Sequence, residues 1–320
     1  MARTLQAADI KARAKQLGFD ACGIAPAGDF HELDAFKEWI ARGYAGSMAY
    51  LERSADRRAD VRRVLPSAKT VIVTATVYNT DRPLSIERAS RGDVRISRYA
   101  WGDDYHDVIG VRLDALLRWM RETSSDPFEA RAYVDTGPVQ ERVYAQYAGI
   151  GWIGKNSCVI NPQLGSWIFL AEIICSLALD TDQPAFDQCG TCQLCLEACP
   201  TQALVSPGVL DSRRCISYLT IEHRGDIDAE WEAAIGSHVY GCDICQDVCP
   251  WNELAPTSSD PAWQARPRWD QPTLDGLTAL ADEELGDALR GSAMRRAKPA
   301  GLRRNIEVAA RNAKRAADRG

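Results

Sequence analysis

The sequence predicts an α+β protein built in three parts. Helical and strand-like segments alternate up to about residue 176, short loops then carry most of the cysteines, and the end of the chain is basic with helical spacing. We therefore expect an α/β domain over residues 1–176, a cysteine-rich domain over 177–256 and a short helical segment over 257–320.

The first half of the α/β domain contains two helices and two strands. Residues 5–17 have the apolar spacing of a helix that stops at Gly18, and residues 21–25 follow as a short strand. Residues 30–40 are predicted to form a second helix. The clearest strand, 70–78, is rich in β-branched residues and apolar on both faces, which indicates a central position in a sheet.

The second half repeats this alternation. Residues 104–120 have the apolar spacing of a long amphipathic helix. A predicted strand over 131–135 ends at the turn signal Thr-Gly-Pro. A helix over 139–148 and a buried strand over 166–175 complete the predicted domain.

Composition limits the class of protein. The 320 residues are 46% hydrophobic and contain no apolar run of 18 residues, which argues against a membrane span. The N-terminus lacks the apolar core of a signal peptide, and the Arg57-Arg58 pair is internal and so does not indicate export. We therefore expect the protein in a reducing cytoplasm.

The net charge is −6, but residues 295–320 carry nine basic and two acidic side chains. This local charge of +7 leaves −13 for the rest and permits a nucleic-acid contact at one end.

Eight of the 11 cysteines fall within 61 residues. One run, 189–200, has the C-x2-C-x2-C-x3-C-P spacing of bacterial ferredoxins, in which the fourth cysteine binds the other cluster. The run 242–250 repeats the last three members, and Cys215 replaces the missing first. If the last cysteine of each motif binds the cluster of the other motif, the sequence predicts two 4Fe-4S clusters. Their ligands are Cys189, Cys192, Cys195 and Cys249 for one, and Cys199, Cys215, Cys242 and Cys245 for the other.

A pair of zinc sites is the alternative, since cysteines two residues apart also suit tetrahedral zinc. The unbroken three-cysteine run and the two Cys-Pro endings favour clusters. Eight thiolates leave no open iron, so the clusters would transfer electrons while substrate chemistry belongs to the first domain.

A glycine motif at residues 149–155 matches a dinucleotide fingerprint and nearly a phosphate loop. It follows a helix and runs into a strand over 158–160, so no helix N-terminus is available to bind phosphate. The turn would instead allow close approach of a flat ligand, with polar contacts from Lys155, Asn156 and Ser157.

Asp135 ends an apolar strand, where partial removal from water would raise the pKa of its carboxyl and suit it to donate a proton. A turn or helix cap is the structural alternative. Residues 99–106 place three aromatics, two acids and a histidine together, which fits a pocket lining or a capping loop. The remaining cysteines, Cys22, Cys158 and Cys175, lie in apolar segments and are expected to be core residues.

The motifs together resemble the epoxyqueuosine reductases, cobalamin and iron–sulfur enzymes of queuosine synthesis in tRNA. The resemblance covers about residues 5–310. It rests on residues 97–106 (SRYAWGDDYH), 134–138 (VDTGP), 148–157 (AGIGWIGKNS), 214–220 (RCISYLT) and 240–246 (YGCDICQ), together with the cluster spacing.

The resemblance implies a nitroreductase-like cobalamin-binding domain followed by a ferredoxin-like module with two 4Fe-4S clusters. It implies reduction of epoxyqueuosine to queuosine at the tRNA wobble position, with electrons from an external low-potential donor and Asp135 as proton donor. We expect a monomer that docks tRNA through the basic end. The implied cobalamin contacts are Arg58, Ser97, Asp135, Val159, Leu170, Ser217 and Asp243.

Two other functions are compatible with the cysteine pattern. A reductive dehalogenase-like enzyme also joins cobalamin to two clusters, but such enzymes usually carry an export signal. A non-catalytic electron carrier would not need about 175 residues of α/β domain.

Overall fold

The computed structural model describes residues 3–87 and 93–318. Its centre is a four-stranded sheet in the order β1-β2-β7-β4, in which every neighbouring pair is antiparallel. The described strands are β1 (Ala21–Pro26), β2 (Thr70–Val77), β3 (Arg95–Ile96), β4 (Ala130–Tyr133), β5 (Trp152–Ile153), β6 (Val159–Ile160), β7 (Ile168–Cys175), β8 (Leu204–Ser206), β9 (Val209–Leu210) and β10 (His238–Tyr240). A mixed fold with an antiparallel sheet confirms the α+β class.

The sequence of β2 explains why this strand lies in the interior of the sheet. All eight residues of this strand are buried, and it pairs with β1 on one side and β7 on the other. Its β-branched residues suit a strand covered on both faces. The predicted central position of this strand is confirmed.

Helices cover both faces of the sheet. The described α-helices are α1 (Ala7–Gln16), α2 (His31–Ala41), α3 (Ala49–Arg53), α4 (Ala55–Arg58), α5 (Tyr105–Thr123), α6 (Glu141–Tyr147), α7 (Leu194–Ala198), α8 (Ile216–Ile221), α9 (Ala229–Ile235), α10 (Ile244–Asp247), α11 (Leu274–Thr278), α12 (Asp282–Ala288) and α13 (Lys298–Ala317). One core packs α1 and α5 against the sheet, and a second packs α6 against its other face. In the described part of the chain, no helix combines the length and apolar character needed to cross a membrane.

Helix α5 begins at a capped end. The Asp104 side chain accepts a hydrogen bond from the His106 backbone N–H at 3.1 Å, which satisfies one of the free donors of the first turn. The cap fixes Tyr105 and His106 as the first two residues of the helix, on the side of the molecule where β4 ends.

The cysteine-rich segment is joined to the first domain by backbone pairing. Strand β10 pairs in parallel with β3, and the Ser97 backbone N–H donates to the Tyr240 carbonyl at 2.7 Å. Gly241 follows with φ +67°, and a Cβ there would stand 2.5 Å from the Ser97 Cβ. Only glycine fits this close approach.

The C-terminal segment packs on the same junction. Helix α13 buries Leu302 and Ile306 in a core that also contains Val239 and Tyr240. Three helices of this segment, α11 to α13, complete this core.

The predicted helices and strands of the first domain are all present, with small shifts at their ends. The sequence analysis missed α3 and α4, two single-turn helices between the second helix and β2. Their combined length of nine residues is too short for a clear amphipathic pattern.

Candidate active site and cysteine groups

The acid site consists of three side chains at the meeting point of α5 and the loop after β4. The Tyr105 hydroxyl donates to Asp135 Oδ2 at 3.0 Å, and His106 Nε2 lies 3.4 Å from the same oxygen. The other ring nitrogen, Nδ1, lies 2.7 Å from Asp104 Oδ1. Asp135 has φ +56°, an uncommon backbone conformation for a residue other than glycine. The side chain of Asp135 is 58% exposed, so its carboxyl faces open space.

His106 carries the proton of this site at neutral pH. Burial lowers its pKa, but the hydrogen bonds to the Asp104 and Asp135 carboxylates outweigh burial and raise the pKa to about 9. An imidazolium flanked by two carboxylates results.

The expected raised pKa of Asp135 is wrong. Partial removal from water does raise the pKa, but hydrogen bonds from His106 and Tyr105 and the charges of His106 and Arg58 outweigh it and lower the pKa. Asp135 is therefore a carboxylate whose proton source lies beside it.

Arg58 is tied to the loop after Asp135. Its Nη1 donates to the Val139 carbonyl at 2.7 Å, and its own carbonyl accepts from Gln140 Nε2 at 3.0 Å. The guanidinium lies close enough to Asp135 to lower the pKa of that carboxyl. The next residue along the chain, Glu141, begins α6.

Four of the eight clustered cysteines form one set by the effect of their charges on one another. We call Cys189, Cys192, Cys195 and Cys249 the outer group. Burial raises the pKa of Cys195, and Cys189 and Cys192 raise it further. Burial also raises the pKa of Cys249 to about 11, with contributions from Cys189 and Cys195. The buried Trp152 indole N–H lies 3.4 Å from Cys189 Sγ.

The other four thiols form a second set. We call Cys199, Cys215, Cys242 and Cys245 the inner group. Burial raises the pKa of Cys242, and Cys215 and Cys199 add to the effect. Cys242 and Cys215 likewise contribute to the raised pKa of Cys245. These mutual effects on pKa agree with the two predicted sets, and the assignment of each set to a cluster stays a prediction.

Three residues at the end of the glycine motif and directly after it form hydrogen bonds with the cysteine-rich segment. Lys155 Nζ donates to the carbonyls of Gly190 and Cys192 at 2.6 and 2.8 Å, and Asn156 Nδ2 donates to the Cys245 carbonyl at 3.2 Å. Ser157 Oγ lies 3.1 Å from the Gly208 carbonyl. These hydrogen bonds give the three side chains a structural role at the cysteine-rich segment, and the expectation that they contact a flat ligand stays a prediction.

The seven predicted cobalamin contacts come from both domains. Ser97 Oγ donates to Asp243 Oδ1, and the Arg98 N–H donates to Asp243 Oδ2 at 2.6 Å, so only backbone atoms of Ser97 and Asp243 remain for a ligand. Val159 is buried in β6, Leu170 lies in β7 and is half-buried, and Ser217 follows Cys215 at the start of α8.

These positions fit a large planar cofactor in one respect that the structure shows. The exposed carboxyl of Asp135 is within the electrostatic influence of Arg58 and accepts a hydrogen bond from the half-buried Tyr105, whose ring stacks on that of the buried Phe169 at 4.5 Å. A mixed polar and apolar surface beside an exposed acid is the lining that a cofactor with an apolar ring and amide arms requires.

Two family models match the chain. One, described as a 4Fe-4S double cluster binding domain, matches residues 188–252 and so includes all eight clustered cysteines. The other, described as epoxyqueuosine reductase QueG, DUF1730, matches residues 58–136. The fold and site define an iron–sulfur oxidoreductase with two 4Fe-4S clusters, which excludes the zinc alternative.

Relatives identify the family. The chain is 46% identical to an epoxyqueuosine reductase of Gloeobacter violaceus over 313 residues, covering 95% of each protein. It is 43% identical to one of Synechocystis sp., covering 89% of this chain and 99% of the relative. A crystal structure of an epoxyqueuosine reductase with an epoxyqueuosine-modified tRNA-Tyr stem loop has a TM-score of 0.88 at 32% identity, covering 97% of this chain and 82% of that one. The chain belongs to the epoxyqueuosine reductase family, and it contains a 4Fe-4S double cluster binding domain.

Sequence reasoning missed three features near the site. Cys158, expected in the core, hydrogen-bonds the Cys245 thiol of the inner group. Two further acids, Glu141 and Glu172, lie close to Asp135. A glutamate in the middle of an otherwise apolar strand, as in residues 168–175, was the available signal for Glu172.

Proposed function

We propose that this chain reduces epoxyqueuosine at the wobble position of tRNA to queuosine. The observation that carries the proposal is an acid site with a protonated histidine on the same chain as two groups of four cysteines. The reaction takes up two electrons and two protons, converts the epoxide to an alkene and releases its oxygen as water. An external low-potential donor supplies the electrons.

Cluster ligation follows the two cysteine groups. The outer group holds one 4Fe-4S cluster and the inner group holds the other. The grouping of the thiols supports this assignment, as does the ferredoxin spacing. Residues around the outer group, such as Asp187 and Leu194, are exposed, whereas Asp243 and Ile244 beside the inner group are buried. Electrons would therefore enter at the outer group and leave through the inner one.

Cobalamin would be held between the domains by Arg58, Ser97, Asp135, Val159, Leu170, Ser217 and Asp243. When bound, it supplies a strongly nucleophilic low-valent metal centre. The nitroreductase-like description of the first domain belongs to the same proposal, as do the domain limits at residues 176 and 256.

Asp135 and His106 act as one proton-donating unit. His106 holds the proton at Nε2, 3.4 Å from Asp135 Oδ2, and Asp104 fixes the ring through Nδ1. A proton passed through Asp135 reaches the substrate oxygen as the first carbon–oxygen bond opens. Tyr105 orients the carboxyl by its hydrogen bond.

The tRNA would dock at the basic end, and the protein would act as a cytoplasmic monomer. Three of the basic residues there, Arg296, Arg303 and Arg304, are engaged within the fold. Arg296 pairs with Glu222 and Arg303 with Asp282, while Arg304 donates to backbone carbonyls. Arg295 and Lys298 are exposed, which favours these two for phosphate contacts.

The activity is tested with protein reconstituted with iron, sulfide and cobalamin. After incubation with a low-potential reductant and epoxyqueuosine-containing tRNA, mass spectrometry of the nucleosides should find queuosine. Unchanged epoxyqueuosine despite full clusters and bound cobalamin would overturn the proposal.

Iron analysis tests the ligand assignment separately. Cys189→Ser and Cys245→Ser should each lose about half of the bound iron, since each removes a ligand of one cluster. Cys22→Ser is the matched control, because Cys22 lies in β1 outside both groups and should leave the iron content unchanged. Full iron in either cluster variant would refute the grouping.

A further inference from the structure

Glu172 is a buried carboxyl with no hydrogen-bond partner. It lies in β7, fully buried, opposite Val73 of β2 and Tyr133 of β4. Within the residues that the structure describes, neither carboxyl oxygen has a partner. An ionised carboxylate in such a place is strongly disfavoured, so Glu172 holds a proton. Burial raises its pKa well above the usual range, and the neighbouring Glu141 and Asp135 raise it further.

Alternation along the strand directs Glu172 toward the cofactor side of the sheet. Leu170 and Glu172 are two residues apart in β7 and therefore share one face. Leu170, a predicted cobalamin contact, packs in the core formed with Val143 and Tyr144 of α6. The same face thus carries the buried acid and the start of the helix that contains Glu141.

Glu141 is close enough to both Glu172 and Asp135 for their charges to affect one another. Burial and the charge of Asp135 raise its pKa to about 8, so it too is mainly protonated at neutral pH. Its position is fixed by the bonds that tie Arg58 to Val139 and Gln140, the two residues before it. The charged groups that act on the pair are Arg58, Arg142, His106 and Asp135.

The reaction needs a second proton after Asp135 has given the first. Opening one carbon–oxygen bond of the epoxide gives a hydroxyl, and breaking the second bond requires that this hydroxyl be protonated so that it leaves as water. The two electrons come from the low-potential donor. Once Asp135 and His106 have supplied one proton, an internal acid nearby can restore it.

We infer that Glu141 and Glu172 form a proton store that reprotonates the Asp135 and His106 unit for the second transfer, an inference that rests on the proposed function. Glu141 passes its proton to Asp135, and Glu172 behind it replaces the proton of Glu141. Both residues act through Asp135.

Infrared difference spectroscopy tests the store without turnover. In the cluster-loaded protein at pH 7, we expect two protonated-carboxyl bands, one absent in Glu141→Gln and the other in Glu172→Gln. The Glu141 band should disappear as the pH rises through about 8. Glu230→Gln, which removes an exposed carboxyl on α9, should change neither band. Absence of both bands in the wild type would overturn the inference.

Single-turnover kinetics tests the role of the store. Glu141→Gln should slow queuosine formation on the order of 10-fold without changing the KM for tRNA, and should remove the decline above pH 8. Glu172→Gln should have a smaller effect, and Glu141→Asp should restore part of the rate. Wild-type rates and an unchanged pH profile in Glu141→Gln would overturn the inference. An inactive wild type with both bands present would instead refute the proposed function.

Discussion

The acid site and the cysteine module are assembled in opposite ways. Seven of the eight clustered cysteines lie in two short runs, so local spacing brings together three members of the outer group and two of the inner group, and the others come from elsewhere in the sequence. The acid site takes Arg58 from α4, Tyr105 and His106 from α5 and Asp135 from the loop after β4. Long-range packing of the sheet and its helices must first form before these side chains meet. The cysteine groups therefore depend in large part on local spacing in this chain, whereas the acid site depends on the fold alone.

The strongest test of this difference between the two regions is to remove the carboxyl group of Asp135. Asp135→Ala should reduce queuosine formation by about 100- to 10,000-fold, because the proton no longer reaches the substrate oxygen. Iron content and cobalamin absorbance should remain those of the wild type, which shows that the cysteine module is untouched. Nucleoside mass spectrometry and absorbance spectra provide the measurements.

Asp114→Ala is a suitable control for that variant. Asp114 is an exposed carboxylate on α5, the helix that supplies Tyr105 and His106, and its loss should leave turnover unchanged. Retained activity in Asp135→Ala would remove Asp135 from the proton-donating unit.

The same contrast explains how much the sequence could predict. The cysteine grouping and nearly every element of the first domain followed from spacing and periodicity, which are local signals. Asp135 was found through its strand and motif, but the direction of its pKa was wrong because that depends on His106 and Tyr105, about 30 residues away. The hydrogen bonds of Lys155 could not be predicted for a related reason. Its carbonyl partners lie in another domain, and no sequence spacing indicates such an interaction.

His106 offers the next largest effect. If it carries the reacting proton, the rate should fall as the pH rises through about 9, because a raised pKa keeps the ring protonated below that value and neutral above it. His106→Gln keeps hydrogen-bonding capacity but holds no titrating proton, so it should be about 10- to 100-fold slower at neutral pH. It should also lack this alkaline decline.

The pKa of Glu141, about 8, is close to that of His106, about 9. The pH profile is therefore best measured in the Glu141→Gln background. There the decline near 8 is absent and the remaining one reports His106 alone. An alkaline decline that persists after His106→Gln in that background would show that another group holds the proton.

Lys155 tests the junction between the two regions. Lys155→Met keeps the apolar stem but loses the bonds to the Gly190 and Cys192 carbonyls, at a cost of about 1–3 kcal/mol. We expect a lower thermal unfolding midpoint under anaerobic conditions and faster bleaching of the outer cluster in air. Lys69→Met, which alters an exposed side chain, should change neither property. Equal bleaching rates in Lys155→Met and the wild type would mean that the loop keeps its conformation without the two Lys155 hydrogen bonds.

The smallest effect concerns a surface outside both regions. Replacing the exposed Arg295 and Lys298 with Ala should weaken tRNA binding and lower the slope of log K against log salt by about 2, because each residue would neutralise one phosphate. Arg304→Ala provides the contrast, because its guanidinium donates to the carbonyls of Leu219 and Gly225 and so stabilises the fold. That variant should unfold more readily with little change in salt slope. An unchanged slope in the double variant would place tRNA recognition nearer the acid site, and the first domain would then have to bind the nucleic acid as well as reduce it.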